Sequence, residues 1–348
     1  MKKLWLRVVC AVAVMLTLAA VITGCSEKPY DYKLENYVKI SEKWKEIVVS
    51  EAEINEKRNE LLSNALKNTA KQETVIGRGA EYGDRVRVSF TFYVYDSTKG
   101  SYVANPTFSD ENCLIELGNG KYPSELEAAL RGLRKDQPFE VSIMLSPDFA
   151  YPSLQGKPVK YVGEVLEVTA IVYGTLTDEA IKSISHCQTV EEYKNMLYDE
   201  AKKELYWEKL LGLTTVDAYP EAEMDKYTAD YVDYYSDLAD AEQMTLEEYV
   251  AKRFFMELRD FHVSAGVYAK ELVKSEMVIY KMARDYGITL TSEEYNDGAY
   301  KYAKTYGLES VAKLEGKFGT HMVEQTVLMD KVMEFVVTEA TRAATEQP

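Results

Sequence analysis

Few side chains in this sequence are spaced for acid–base or metal chemistry. The three histidines, His186, His262 and His321, are far apart, and each lies on or beside a helical stretch, which suits solvent-facing or capping roles rather than a metal site. Gly118-Asn-Gly120 reads as a turn, since neither GxxxxGKS/T nor GxGxxG follows a strand. No cofactor and no metal are expected. Of four cysteines, Cys113 sits in the apolar run Cys-Leu-Ile-Glu-Leu and reads as a small buried hydrophobe, while Cys187 precedes a helix. Their spacing leaves a disulfide between them open and supplies no framework of the kind small secreted domains use. Tyrosine is the over-used type, with 27 copies against 10 Phe and 3 Trp, and 16 of them fall between Thr177 and Pro348. Tyr227, Tyr231, Tyr234 and Tyr235 recur at near-helical spacing. An apolar ring with a hydrogen-bonding tip suits a wet surface that grips varied peptides, so this stripe is a candidate peptide-contact surface. Taken singly, each ring also fits a helix-packing core.

The remaining cysteine points to lipid chemistry. Lys2, Lys3 and Arg7 precede an apolar run from Val8 to Ile22, a charged n-region followed by an h-region. At about 15 residues the run is shorter than the roughly 20 a spanning helix needs. It ends in Ile22-Thr23-Gly24-Cys25, which is similar to the bacterial lipobox, whose cysteine is acylated on sulfur and becomes the mature N-terminus. A cleaved signal over 1–24 and a lipidated Cys25 are therefore expected. They imply a cell-membrane protein, lipid-anchored on the extracytoplasmic face. A plain secretory signal with a chance cysteine, or an uncleaved anchor, is the alternative.

Three kinds of segment must position whatever chemistry exists. After a polar tether over 25–36, Tyr37 to Ile40 reads as a short strand, and Ser50 with Glu53 forms a capping box opening a helix to about Asn68. Between Tyr82 and Tyr173 the apolar period becomes two, as in Val86, Val88, Phe90, Phe92 and Val94, then Phe139, Val141, Ile143 and Leu145. Val159 to Tyr173 reads as a third strand, bulged at Gly163. Between the first two lies Ser124-Glu-Leu-Glu127, a further expected capping box, whose helix carries Leu126, Leu130 and Leu133 on one face. From Thr177 the chain is helical, with capping boxes at Thr189–Glu192, Thr245–Glu248 and Thr291–Glu294, and C-caps at Gly287, Gly307 and Gly319. The fold class is α+β, an antiparallel sheet around a short helix followed by an all-α region.

The 57 acidic residues outnumber 41 basic ones, a net charge of −16, which argues against a nucleic-acid partner. Losing Lys2, Lys3 and Arg7 with the signal leaves 38 basic residues and a net −19. A solute-binding or adhesion lipoprotein is a further reading, but a two-lobed solute receptor would alternate βαβ, and this chain does not.

Asp84-Arg-Val-Arg-Val-Ser-Phe90, Ile115-Glu-Leu-Gly-Asn-Gly120, Leu126-Glu127, Leu130-Arg-Gly-Leu133, Ser146-Pro-Asp-Phe-Ala-Tyr151 and Leu154-Gln-Gly-Lys157 fall in the order and spacing of an FKBP-type prolyl isomerase domain. The version in trigger factor is the nearest in kind. The Ser50 helix resembles the segment before that domain, and Val267 to Ala340, with Tyr286-Gly-Ile-Thr-Leu-Thr-Ser-Glu-Glu294, resembles trigger factor's C-terminal chaperone region. The resemblance covers roughly residues 37–345 and divides the chain into a linker strand and helix (37–81), an FKBP-like domain (82–178) and a helical chaperone domain (179–348). The family's ribosome-docking domain has no counterpart, so ribosome docking is not expected. The implied partners are unfolded or nascent exported polypeptides. The implied activity is cis/trans isomerisation of X–Pro bonds, with a catalytically inactive holdase of the same fold as the alternative.

Amide resonance sets a barrier of about 18–20 kcal/mol to that rotation. A dry apolar pocket favours the less charge-separated twisted amide, and an N–H donor can hold the substrate carbonyl, without nucleophile or metal. Carried over from the family, the pocket-lining positions are Phe90, Tyr102 or Phe108, Leu126, Leu145, Phe149, Tyr151 and Tyr161, none of them a general acid or base. Phe90 is equally at home as an ordinary core aromatic. Two departures stand out. Leu126 replaces the pocket-floor aromatic, and an ungapped alignment from Gly118 to Gly132 puts Pro123 where the family uses a backbone N–H, which proline lacks. Isomerase activity should therefore be weak. The anchor has its own test: Cys25→Ala is expected to release the protein into the soluble fraction on fractionation, and unchanged membrane association would contradict a lipid at Cys25.

Overall fold

A computed structural model of the chain describes residues 33–346 apart from 69, 70 and 150. Cys25, the signal over 1–24 and most of the tether lie outside the described residues. The strands are β1 Val38–Ile40, β2 Lys71–Thr74, β3 Arg85–Asp96, β4 Ser101–Ala104, β5 Asp110–Glu116, β6 Pro138–Met144, β7 Pro158–Val172 and β8 Thr214–Val216. The helices are α1 Glu51–Asn68, α2 Ser124–Leu130, α3 Asp178–Ile184, α4 Val190–Gly212, α5 Glu221–Ala241, α6 Leu246–Phe254, α7 Leu258–Tyr286, α8 Ser292–Thr305, α9 Val311–Phe318 and α10 Thr320–Glu346. Two compact units result. One is Leu66–Gly174 with Tyr235–Val263; the other holds the described residues up to Ala65, Thr175–Tyr234 and those from Ser264 onward. Residues 235–263, inside the stretch expected to be an independent helical domain, thus cluster with the sheet.

In the sheet unit, β7 pairs antiparallel with β2, β3 and β6, and β3 pairs antiparallel with β4 and β5. The period-two pattern does what it predicts: Val86, Val88, Phe90 and Phe92 are buried on one face of β3. The buried Leu126 and Leu130 of α2 pack into the same core. Gly163 is not a bulge, contrary to expectation; it pairs with Phe90 and Phe139 in regular register. The slip lies further on, where Arg87 pairs with Glu167 but Val88 with Val165, leaving Leu166 extra. The glycine serves close approach instead, since a Cβ there would lie 2.0 Å from the Ser89 carbonyl oxygen.

The short helix α2 also starts differently from its expected capping box. Pro123 is the N-cap and offers no side-chain bond, so Ser124 becomes the first helical residue. The Glu127 carboxylate, freed from capping, accepts a hydrogen bond from the Gly118 amide at 2.8 Å and ties the preceding turn to the helix.

The other unit is held by helix faces. The Ser50–Glu53 box forms as expected, with the Ser50 amide donating to Glu53 at 2.7 Å, and opens α1. The boxes at Thr291–Glu294 here and Thr245–Glu248 in the sheet unit are also complete, whereas Glu192 reaches the Gln188 amide instead of that of Thr189. Gly287, Gly307 and Gly319 all take positive φ at helix ends. The main core gathers Trp44 and Val38 against Val273 and Met277 of α7 and Val332 and Val336 of α10. β1 pairs antiparallel with β8 at its edge. No described helix is long and apolar enough to cross a membrane.

Candidate functional site

The curled sheet gathers aromatic rings on its inner side. Phe90 and Phe92 alternate inward on β3, and Tyr161 of β7 lies opposite Phe92 in the register. Ring centroids are 5.2 Å apart for Phe90–Tyr161 and 4.9 Å for Phe92–Tyr161. Phe108, on a 3-10 turn before β5, meets Phe92 at 5.6 Å and Tyr151 at 4.9 Å, the latter edge to face. Leu126 and Leu145 are buried in the same cluster, and Phe149 and Tyr151 are half-buried against it. Seven of the eight expected pocket positions thus share one apolar cluster. Tyr102 does not: it pairs with Tyr95 across the β3–β4 hairpin, with the Lys160 ammonium 5.0 Å from its ring.

Two rings that the sequence reading passed over complete the cluster. Tyr122 is buried beside Cys113, its hydroxyl 3.1 Å from the sulfur. Phe255, at the C-cap of α6, places its ring edge-on to Tyr122 at 5.5 Å and against Phe149 at 5.6 Å. A signal for each was present. Tyr122 directly precedes the conspicuous Pro123, and Phe254-Phe255-Met256 closes a helix where a C-cap glycine would be ordinary.

The electrostatics are those of a dry site. Burial pushes the Cys113 thiol up to about 11, despite the Tyr122 hydrogen bond, so it is no nucleophile. Burial likewise raises Tyr122 and Tyr161 well above the usual phenol range. The Tyr161 hydroxyl, on a side chain 1% exposed, has no hydrogen-bond partner among the described residues. Pro123, as expected, presents no N–H, and its carbonyl accepts from the Leu126 and Glu127 amides inside α2. Cys113 and Cys187 are both free thiols.

The tyrosine stripe divides. Tyr227 is 3% exposed, and its hydroxyl donates to the buried Glu276, which also accepts from Gln325. It is a core residue satisfying a buried carboxylate, so it offers no ring to a client. The Tyr231 ring lies tilted against that of Tyr268 at 4.9 Å, and Tyr235 lies edge-on to Phe254 and Phe261. With Tyr234 these rings are half-buried. A separate polar cavity of about 530 Å³ in the helical unit is lined by His186, Glu200, Lys203, Lys301, Asp330 and Glu334. Lys203 bridges Glu334 at 2.7 Å, and burial, reinforced by Asp330, lifts Glu200 to about 7.

Residues 179–338 match the family described as the bacterial trigger factor protein C-terminus. A trigger factor of Acetivibrio thermocellus is 25% identical over 329 residues, covering 85% of this chain and 71% of its own. One from Clostridium botulinum strain Langeland is 26% identical over 245 residues, covering 66% of this chain and 56% of its own. A solved trigger factor chaperone, studied for promiscuous substrate recognition in folding and assembly, aligns over 87% of this chain and 73% of that chain at TM-score 0.33 and 19% identity. The chain is similar in sequence to trigger factors, a likeness that rests on the sequence matches rather than on the superposition.

Removing a buried, unpartnered hydroxyl relieves a desolvation cost. Tyr161→Phe is therefore expected to raise unfolding stability by about 1 kcal/mol in urea titrations, and a loss of stability would mean that the hydroxyl has a partner.

Proposed function

We propose that the protein is a membrane-anchored extracytoplasmic folding factor that binds unfolded exported chains, with an FKBP-type unit of weak isomerase activity. The observation that carries the reading is the family match over 179–338, together with trigger factor relatives aligned over most of the chain. The aromatic cluster supports the isomerase part. It is apolar and largely buried, its phenols and thiol are held neutral by burial, and twisting an amide needs no acid or base. The sequence ending in Cys25 supports the anchor and the extracytoplasmic side.

Weak catalysis follows from Pro123. A single preorganised donor to a reacting carbonyl is worth roughly 10²–10³ in rate, and at the Pro123 position the backbone has none to give. The buried leucine at 126 in place of a ring thins the floor of the pocket further.

Two measurements test this. The full chain at equimolar ratio should suppress aggregation of a chemically denatured client followed by light scattering; scattering equal to that of the client alone would remove the folding-factor reading. In an exchange-NMR assay on an Ala-Pro peptide, Pro123→Ala should raise the isomerisation rate tenfold or more by restoring the donor. Its backbone, at φ −53°, suits alanine. An unchanged slow rate would place the deficit elsewhere.

A further inference from the structure

We infer that the aromatic cluster is a ring-binding site already filled by the chain's own Phe255, and that a client must displace the α6 corner to enter. The inference rests on the reading of that cluster as a polypeptide site. Phe255 is the terminal ring of α6, and it meets Tyr122 and Phe149 edge to face, the arrangement an incoming aromatic side chain would adopt. Tyr122 adjoins Pro123, and Phe149 belongs to the segment from Ser146 to Tyr151, so the ring sits between the two loops that bound the cluster.

The corner is built to present that ring. Phe255 takes φ 52° and ψ 42°, the left-handed region where glycine is at ease and an aromatic residue is not. The strained residue persists because its surroundings hold it. Its amide caps α6 on the Ala251 carbonyl at 3.1 Å, and Ala251 is itself buried in the cluster. Arg253 clamps the same turn, pairing with Asp110 at the start of β5 at 2.9 Å and with Glu242 after α5. A half-buried ring at the C-cap of a nine-residue helix, held by the Arg253 ion pairs and by the buried Ala251, is a removable occupant rather than a continuous core layer.

Occupancy lowers apparent affinity by the fraction of open molecules, so emptying the site should restore it. Phe255→Gly suits the test because glycine favours the same left-handed cap while deleting the ring. The full chain, Phe255→Gly and Arg253→Gln are titrated against a fluorescein-labelled peptide containing Ala-Phe-Pro-Phe, read by fluorescence anisotropy. Circular dichroism checks the fold of each. Binding about tenfold or more tighter in Phe255→Gly, with a shift in the same direction in Arg253→Gln, is expected. Equal affinity in all three overturns the occupant and leaves the folding-factor reading intact. Absence of binding in all three also overturns it, because an emptied site then accepts no ring. Suppression of client aggregation by the same samples reports on the folding-factor reading independently. Should Phe255→Gly fail to fold, Arg253→Gln alone decides.

Discussion

The close approach of β3 to β7 at Gly163 is the constraint on which the sheet unit depends. With no side chain there, Phe90 can pair directly across from the glycine, and a Cβ would collide with the Ser89 carbonyl. That contact brings Phe90 and Phe92 within ring-stacking distance of Tyr161, and the other aromatics assemble around these three. The cluster is therefore a product of backbone geometry first and of side-chain chemistry second.

A site made this way has a limited repertoire, and the limits agree with the proposed function. Its polar groups are phenols and one thiol, all pushed toward their neutral forms by burial. It cannot supply a strong nucleophile or base, and the proposed isomerisation needs neither. Tyr227 shows the converse use of the same residue type, satisfying the buried carboxylate of Glu276 within a helical core.

Local signals were legible in the sequence and long-range ones were not. Alternation located β3 and β6, a long apolar stretch located β7, and the capping boxes at Ser50, Thr245 and Thr291 set helix starts, because such information lies within a short span of residues. The Ser124 box failed for a reason visible only in three dimensions: Pro123 took the cap, and Glu127 turned to the Gly118 amide. The bulge at Leu166 rather than Gly163 depends on pairing with β3, some 80 residues away. Of the two residues carried over for one pocket position, Tyr102 or Phe108, only Phe108 joins the cluster, because the hairpin register sets Tyr102 beside Tyr95. The association of 235–263 with the sheet unit, and with it the contact of Phe255, joins segments more than 100 residues apart, which no local pattern encodes.

The central claim is that one aromatic cluster receives polypeptide and that Phe255 stands in it until polypeptide arrives. A photo-crosslinking phenylalanine analogue at position 149 reads both halves at once. Without client, mass spectrometry should find an internal crosslink to the 253–257 turn; with a saturating unfolded client, that crosslink should fall and a client adduct should replace it. An internal crosslink that persists undiminished under saturating client, with no adduct at 149, would contradict the account.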